Sequence, residues 1–251
     1  MSTERIYDAV IRVAGERARH QAFRRHLDIG SGSGRLIERF RERFQTEASA
    51  CDYTNTLMEQ PNVKVDIVNL NHDRLPYPDA SFDIVTATEV VEHLENGWTL
   101  LREIHRVLAP GGVCILSTPN ILNINSRLRF LWSGFWNLFG PLPVNNDVLH
   151  TTGGHIHPVS FFYLAHALMN LGFMDVTVTV DKYQRSGVLK LLGWYLPIRF
   201  FGALFRRSEE TKYHTIDAMN APLVKTMNSV PLLLGRTIIV CATKPVTTIH
   251  P

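Results

Sequence analysis

The sequence has few cysteines, and their spacing does not indicate the sites that cysteines usually build. The chain of 251 residues contains three, Cys51, Cys114 and Cys241, and no two of them form a CxxC pair. Each lies in an apolar run typical of a strand. We therefore expect buried free thiols and a reducing compartment.

A strong charge imbalance is also missing. Lysine and arginine number 26 against 23 aspartates and glutamates, which gives a net charge of +3. Because proteins dedicated to duplex nucleic acid are usually more basic, we expect no nucleic-acid partner. The chain has no internal repeat or low-complexity tract, and 45% of its residues are hydrophobic. These properties predict one globular domain over residues 1–251.

Long uncharged apolar runs are absent as well. No stretch reaches about 18 apolar residues without a charge, the usual length of a spanning helix. The N-terminus is charged and amphipathic and lacks the apolar segment of a signal peptide. We therefore expect a cytoplasmic location, with any membrane contact being peripheral and on the cytoplasmic face.

What the chain does contain is an alternation of strand-like and helix-like segments. Apolar periodicity predicts helices around Leu36–Phe44, Leu100–Leu108 and Ser160–Leu171. The alternation is the signature of βαβ units and predicts a doubly wound, mostly parallel α/β sheet. The predicted strands are His26–Ile29, Ala48–Asp52, Val63–Val68, Phe82–Ala87, Gly112–Thr118, Phe173–Asp181 and Arg236–Thr243.

Two segments interrupt this rhythm. Residues 121–154 and 182–230 are aromatic, punctuated by glycine and proline, and lack the alternation of a strand. We interpret them as insertions on a core made of about residues 20–120, 155–181 and 231–245. Insertions of this kind often build active-site covers and partner surfaces.

A glycine-rich turn follows the first predicted strand. Gly30, Gly32 and Gly34 alternate with serines, and Asp28 precedes them. Glycines let the backbone approach a ligand closely, and the start of the next helix offers free N–H groups. Arg35 stands where a phosphate-binding loop needs lysine and where a dinucleotide loop needs a small residue. The pattern disfavours a nicotinamide-dependent oxidoreductase and suits a ligand without a pyrophosphate.

A second acid supports a nucleoside ligand. Asp52 ends the second predicted strand, 24 residues after Asp28. In nucleotide-binding βαβ units, an acid at this place accepts hydrogen bonds from the ribose hydroxyls. We therefore expect Asp52 to bind a ribose.

With these features, residues 25–120 resemble the class I S-adenosylmethionine-dependent methyltransferases. LDIGSGSG is similar to the first motif of the family, and EVVEHL, which begins at Glu89, is similar to its motif after strand 4. The resemblance implies an enzyme that uses S-adenosylmethionine and a strand order of 3-2-1-4-5-7-6 with strand 7 antiparallel. It assigns cofactor binding to Asp28, Gly30, Ser31, Gly32, Gly34, Asp52, Tyr53, Asn69, Leu70 and Thr88.

Histidines are the candidates for acceptor chemistry. Methylation of a hydroxyl requires removal of its proton, and histidine commonly serves as the base. His93 follows the fourth predicted strand, while His155 and His157 lie in the segment GGHIHP. We predict His93 and His155 as the catalytic residues, with His157 as an alternative to His155.

A divalent metal ion is a further option that the resemblance allows. Glu89, Glu92 and His93 have the ExxEH spacing of metal-dependent O-methyltransferases, in which such residues and a later histidine hold the ion. The corresponding later histidine would be His155. Because EVVEHL is also common in metal-free relatives, no metal ligand is assigned from the sequence.

The segment after residue 120 resembles methyltransferases of bacterial surface polysaccharide and lipid-linked glycan synthesis. This likeness implies O-methylation of a hydroxyl on a sugar or lipid-linked acceptor. Methylation of a small quinone-type metabolite and a non-catalytic S-adenosylmethionine-binding module remain the alternatives.

Both insertions have the composition of membrane-surface segments. The run 187–205 is apolar, and we expect Gly193, Pro197 and Gly202 to divide it into short pieces that lie in the interface. The run RLRFLWSGFWNLF in the first insertion has a similar composition, with aromatic residues beside the basic Arg127 and Arg129. A lid over the cleft or a dimer interface would use similar residues. The oligomeric state is open.

Overall fold

The computed structural model describes residues 4–142 and 154–246, and its centre is a seven-stranded sheet. Its strands are β1 Arg25–Ile29, β2 Glu47–Asp52, β3 Val65–Ile67, β4 Phe82–Thr88, β5 Leu108–Pro119, β6 Met174–Val180 and β7 Thr237–Thr243. They lie in the order β3-β2-β1-β4-β5-β7-β6. The first five strands are parallel, and β7 is antiparallel to both β5 and β6. The predicted fold class and strand order are confirmed.

Helices cover the sheet on both faces. Those of the described residues are α1 Glu4–Arg17, α2 Arg35–Phe44, α3 Gly97–Val107, α4 Ile124–Ser133, α5 Phe161–Asn170, α6 Arg185–Ser208, α7 Ala221–Thr226 and α8 Val230–Leu234. The apolar face of α1, which includes Ile6 and Val10, packs against Phe40 of α2 and Ile115 of β5. This helix therefore adds to the core that the sequence predicts from about residue 20.

The central strands are apolar because both of their faces are covered. Cys51 of β2, Cys114 of β5 and Cys241 of β7 are all buried in these strands, and all three are free thiols, as predicted. Burial raises the pKa of each thiol. These cysteines are therefore packing residues.

The fifth strand begins earlier than predicted. Leu108 does not end α3 but pairs with Phe82 of β4, and regular pairing resumes at Val113. The intervening residues form a bulge, in which Gly111 has a φ of 80°. The Pro-Gly-Gly segment thus bends a strand, where the sequence predicts the end of a helix.

The second insertion contains one continuous helix. The prediction that Gly193, Pro197 and Gly202 divide this run is wrong, because α6 extends through all three residues. The residue four positions before Pro197 is Gly193, and a Cβ at Gly193 would meet no atom within 4 Å. Pro197 has no N–H to donate to the carbonyl oxygen of Gly193, so the helix continues through this position without that hydrogen bond. Tertiary contacts add support, because Leu191 and Ile198 of α6 pack on α4 and α8.

The same helix has the length and composition of a membrane span. With the π-helical turn Glu209–Tyr213 it extends from Arg185 to Tyr213, and its most apolar window has a mean hydropathy of 1.4. Only 6% of that window is buried. The sequence prediction had not included a helix of this kind.

The first insertion is partly described. Helix α4 lies within it, and residues 143–153 lie outside the described part of the chain. Arg127 on α4 is not available to a membrane, contrary to the prediction. Its guanidinium donates hydrogen bonds to the carbonyl oxygens of Leu122 and Met227 and to Oδ1 of Asn228, at 2.6 to 2.9 Å. Burial lowers its pKa to about 10.

Candidate active site

The glycine turn lies against the end of β2. The backbone N–H groups of Gly30 and Ser31 donate to the carbonyl oxygen of Cys51, at 2.8 and 3.3 Å. Gly34 has a φ of 77°, and a Cβ on it would lie 2.6 Å from Sδ of Met58. The left-handed conformation of Gly34 favours glycine, and a side chain there would also have to displace the flexible Met58.

Asp52 joins this turn to β2. Its Oδ2 accepts a hydrogen bond from the N–H of Gly32 at 2.9 Å, and its Oδ1 accepts one from the N–H of Tyr53 at 2.7 Å. A Cβ on Gly32 would meet nothing within 4 Å, so the turn leaves open space at this residue. The predicted ribose-binding acid and the predicted glycine loop therefore face the same site.

Asp28 is almost completely buried, and its side chain is hydrogen-bonded to a neighbouring strand. It is only 1% exposed, and its Oδ1 accepts a hydrogen bond from the hydroxyl of Thr86 at 2.6 Å. The Thr86 oxygen is 2.8 Å from Nε2 of His26, which is also buried. Burial raises the pKa of Asp28 to about 7, while the Thr86 bond opposes the shift and the Asp52 charge adds to it. Burial lowers the pKa of His26 to about 3.

The contribution of Thr86 and His26 was not predicted. The parallel register places Asp28 directly beside Thr86. A polar residue at the matching position of the fourth strand is the only sequence signal for this buried chain of hydrogen bonds.

The remaining predicted cofactor residues lie at the same edge of the sheet. Thr88 ends β4 and is buried, whereas Tyr53 follows β2 and is 48% exposed. Asn69 and Leu70 follow β3 and are half-buried. The N–H of Asn69 donates to Oδ2 of Asp73 at 2.8 Å, which holds this turn in place. Parallel strands bring all of these positions to one edge.

Two segments that are far apart in the sequence meet beside this edge. The carbonyl oxygen of Glu92 accepts hydrogen bonds from the N–H groups of Ile156 and His157, at 2.9 and 3.0 Å. Nδ1 of His93 is 2.8 Å from the carbonyl oxygen of Gly154. The rings of His93 and His155 then lie edge to face with centroids 4.8 Å apart. The structure therefore brings together the two predicted catalytic histidines.

His157 does not join this pair. Its Nδ1 is 3.3 Å from the carbonyl oxygen of Leu94. Phe139, which the sequence did not indicate, packs instead against His155 with ring centroids 5.3 Å apart. The structure thus favours His155 over its alternative.

The two acids of the ExxEH segment have different surroundings. Glu89 has a φ of 56°, which is unusual for a residue with a side chain. Its Oε1 accepts a hydrogen bond from the Ser117 hydroxyl at 3.0 Å. Burial raises the pKa of Glu89 to about 7, and the Ser117 bond opposes this shift. Strained backbone at a cleft is common in functional sites.

Glu92 is fully buried, and its side chain is unusual. Neither of its carboxylate oxygens has a hydrogen-bond partner among the described residues. Burial raises its pKa well above the ordinary value and the charge of Glu89 adds to the shift, whereas the nearby Thr118 hydroxyl opposes it. This contact is not a regular hydrogen bond, and both the Thr118 hydroxyl and Nδ1 of His155 are also buried without one in the described structure. Unpartnered buried polar groups are costly, so these atoms indicate a place for a ligand.

The donor set fits a divalent metal ion. One ligand atom each from Glu92, His93 and His155 lie within 4.8 Å of one another. Two imidazoles and a carboxylate form a common ligand set for transition metals. Glu89 is not part of this group, because its carboxylate bonds to Ser117. Burial lowers the pKa of both His93 and His155, which favours the neutral rings that a ligand or a general base needs.

Comparison with known proteins agrees with this geometry. Residues 27–116, from β1 to β5, match the family described as methyltransferase domain. A 27-O-demethylrifamycin SV methyltransferase from Amycolatopsis mediterranei is 34% identical over 97 residues, which cover 35% of this chain and 36% of that protein. A ubiquinone/menaquinone biosynthesis C-methyltransferase from Desulfotalea psychrophila is 25% identical over 161 residues, covering 60% of this chain and 65% of that protein.

A solved structure extends the likeness to nearly the whole chain. The S-adenosylmethionine-dependent methyltransferase from Archaeoglobus fulgidus superposes with a TM-score of 0.58 at 19% identity, covering 95% of this chain and 94% of that chain. The sequence matches themselves span only 22% to 65% of the length of the curated relatives. Residues 27–116 thus match a methyltransferase domain, and the sheet has the strand order that the resemblance to the class I S-adenosylmethionine-dependent methyltransferases implies.

Proposed function

We propose that this protein is an enzyme that methylates a hydroxyl oxygen on a sugar or lipid-linked acceptor. The observation that carries the proposal is the pair of His93 and His155 beside the glycine turn. A Cβ on Gly30 would lie 2.5 Å from the side chain of Val90, so the turn packs against the segment that leads to His93. A proton acceptor therefore lies close to the expected methyl donor.

The donor site follows from the open glycine turn. S-adenosylmethionine supplies a methyl group activated by a positively charged sulfur. Asp52 accepts hydrogen bonds from the ribose, the open side of Gly32 admits the nucleoside, and Thr88 lines the methionine part. Positioning of donor and acceptor is the main contribution of the protein to a transfer of this kind.

The base is defined by the tautomer of His93. Its Nδ1 faces the carbonyl oxygen of Gly154, which can only accept, so the proton lies on Nδ1 and the lone pair on Nε2. Nε2 can then take the proton of the acceptor hydroxyl as the oxygen–carbon bond forms. His155, packed edge to face on His93, holds that ring or serves as the base itself.

The test is methyl transfer by the purified protein. It is incubated with isotope-labelled S-adenosylmethionine and with lipid and glycan extracts, and the products are analysed by mass spectrometry. Addition of one methylene unit to a hydroxyl-bearing glycan or glycolipid supports the proposal. Cofactor binding without any product from these extracts or from quinone precursors would favour a non-catalytic binding module instead.

A metal-assisted version is the second candidate. The unpartnered carboxylate of buried Glu92 supports it, together with the nearby nitrogens of His93 and His155. A divalent ion there would lower the pKa of a coordinated hydroxyl. Elemental analysis of the purified protein and activity after chelation test this version. Full activity in the presence of chelator, from protein that contains no metal, would exclude it.

A small quinone-type acceptor is the alternative substrate class. Two similar proteins support this alternative, since one is a ubiquinone/menaquinone biosynthesis C-methyltransferase and the other is a 27-O-demethylrifamycin SV methyltransferase. Nuclear magnetic resonance of a methylated product distinguishes a new O-methyl group from a new C-methyl group. A C-methyl product would contradict the hydroxyl proposal.

We further propose a peripheral location on the cytoplasmic face of the membrane, with α6 lying in the interface. Leu189, Leu192, Leu196 and Phe200 follow one another at helical spacing, and all are exposed. The opposite side of the helix, at Leu191, packs on the domain. A helix held along one side by its own domain presents the other side to a surface.

A further inference from the structure

A cavity of about 440 Å³ lies between α5, α6, the π-helical turn and α7. This volume falls in the range of sites for small molecules. The cofactor site does not account for the cavity, because none of the predicted cofactor residues lines it. Ser160, the N-cap residue of α5, lines it and follows the segment of His155 in the chain. Its buried hydroxyl has no hydrogen-bond partner among the described residues.

Two free cations distinguish this cavity. Arg199 of α6 and Lys225 of α7 both line it, and neither makes an ion pair or side-chain hydrogen bond within the described part of the chain. Arg206 also lines it and lies 3.8 Å from Glu210. The one acid in the lining, Glu209, accepts a hydrogen bond from the hydroxyl of Thr215 and keeps its negative charge. Because Arg199, Arg206 and Lys225 outnumber it, the lining carries a net positive charge.

Apolar side chains make up the rest of the wall. Phe162 comes from α5, Ile198 and Phe205 come from α6, and Val224 comes from α7. A small polar anion would leave these surfaces exposed, and a plain hydrocarbon would leave the cations without a partner. The combination suits a molecule with an anionic head and an apolar chain.

The walls are held in place by the fold. Arg127 of α4 donates hydrogen bonds to Asn228 and to the carbonyl oxygen of Met227, two residues that line the cavity. Arg199, Ala203 and Phe205 of α6 line the cavity and are also exposed to solvent, so the cavity is open along the helix that we place at the membrane. A lipid could therefore enter it without leaving the interface.

We propose that this cavity binds a phosphate-bearing amphiphile, with Arg199 and Lys225 on the phosphate and the apolar wall along its chain. The inference rests on the proposed function, because it identifies the acceptor as a lipid phosphate that carries the hydroxyl to be methylated. Charge-assisted contacts to two cations bind the head, and burial of the chain adds affinity.

Calorimetry with dodecyl phosphate, below its critical micelle concentration, tests the proposal on the full-length protein. We expect each of Arg199→Gln and Lys225→Gln to weaken binding about tenfold or more, the usual scale for a contact to a charged group. Arg207→Gln is the matched control, since Arg207 lies on the same helix and does not line the cavity. Equal affinities in all four proteins would overturn the proposal.

Two further ligands separate the contribution of the phosphate head from that of the apolar chain. Inorganic phosphate, which has no chain, should bind more weakly than dodecyl phosphate. The affinity for dodecyl maltoside, which has no charge, should be the same in Arg199→Gln, Lys225→Gln and the natural protein. If inorganic phosphate bound as tightly as dodecyl phosphate, the assignment to an amphiphile would be wrong and the site would be one for free phosphate. Ala203→Trp narrows the cavity at α6 and should weaken dodecyl phosphate while leaving phosphate binding unchanged.

Failure of this inference is distinguishable from failure of the proposed function. Binding of S-adenosylmethionine and methylation of extracts are measured separately on the same variants. Methylation that persists in a protein that does not bind dodecyl phosphate overturns the cavity assignment alone. Dodecyl phosphate bound through Arg199 and Lys225 in a protein without transferase activity supports the cavity and overturns the enzyme.

Discussion

Asp52 combines a structural and a binding role within one side chain. Its two oxygens accept hydrogen bonds from Gly32 and from its own successor, Tyr53. A carboxylate used in this way has lone pairs left for a ligand, since its two oxygens offer about four acceptor positions. The residue therefore both positions the glycine turn and remains able to bind a ribose.

The first prediction concerns this acid. Asp52→Ala should weaken S-adenosylmethionine binding by about 1.5–3 kcal/mol, because hydrogen bonds to a charged group are lost. Isothermal titration calorimetry measures the change. Glu47→Ala is the control, since Glu47 lies at the opposite end of β2 and is exposed. Unchanged affinity in Asp52→Ala would remove this residue from the binding site.

Asp28 supports a second prediction, on the pH dependence of stability in the cofactor-free protein. Its pKa is about 7 in the folded state against an ordinary 3.8. Between these values the folded state keeps the proton while the unfolded chain releases it, so this group's stabilisation falls as pH rises. The loss is at most about 1.4 kcal/mol per pH unit. Asp28→Asn keeps an acceptor for Thr86 and lacks the titration.

As pH rises from 4 to 7, the free energy of unfolding of the natural protein should therefore fall relative to that of Asp28→Asn. Above pH 7 the difference between the two proteins should stay constant. Denaturant unfolding at a series of pH values measures it. Parallel stability curves for the two proteins would show that Asp28 keeps an ordinary pKa.

The third prediction addresses the histidine pair. His93→Ala and His155→Ala should each lower kcat about 10²–10⁴-fold while S-adenosylmethionine binding persists, if the pair removes the proton. His157→Ala is the control and should retain activity, because His157 lies outside the pair. Metal content separates the two mechanisms: loss of a bound metal together with activity indicates ligation, and loss of activity from metal-free protein indicates a base.

At the scale of elements, α6 has the largest set of exposed apolar side chains among the described helices. Most of its large apolar side chains are exposed, with Leu189 at 80% and Leu196 at 75%. An apolar surface of this kind is typical of a membrane or partner contact. The burial of Arg127 removes one cation from the predicted membrane surface and leaves Arg207 in the last turn of α6.

The fourth prediction tests this helix. The natural protein should sediment with anionic phosphatidylglycerol vesicles at low salt, and the triple variant Leu192→Ser, Leu196→Ser, Phe200→Ser should lose at least tenfold in affinity. Each substitution removes a large apolar side chain that the interface would otherwise bury. Native binding by the triple variant would contradict a membrane role for α6.

Controls distinguish the other roles of the helix. Serine at Leu57, Ile67 and Met174, which are exposed elsewhere, should not affect vesicle binding. A dimer interface predicts that the α6 variant changes the mass in solution instead. Protein that remains in the vesicles through an alkaline wash would indicate a spanning helix and contradict the peripheral location.

At the scale of the whole molecule, the α/β class and the cofactor edge were predictable from the pattern, whereas the strand order came from the family resemblance. Alternating apolar segments indicate strands, and the carboxyl ends of parallel strands meet at one edge. The glycine turn and Asp52 could therefore be placed in one site before any coordinates. The hydrogen bond between Asp52 and Gly32 agrees with that placement.

Other features depend on neighbours that are distant in the chain. The register of β1 and β4 brings Thr86 to Asp28, and the backbone contacts of Glu92 bring His155 to His93. Local patterns hold no information on such pairings, because each depends on how separate elements pack. The bulge in β5 and the cavity beside α6 likewise depend on how separate elements pack together.

The local pattern was sufficient for the α/β class and the glycine turn, because periodicity and turn residues act over short distances. Tertiary packing decided the rest. Contacts with α4 and α8 accompany a helix that continues through Pro197, and distant carbonyl oxygens draw Arg127 inward. The environment of a charge and the continuity of a helix depend on what packs against them, and only the folded chain supplies those neighbours.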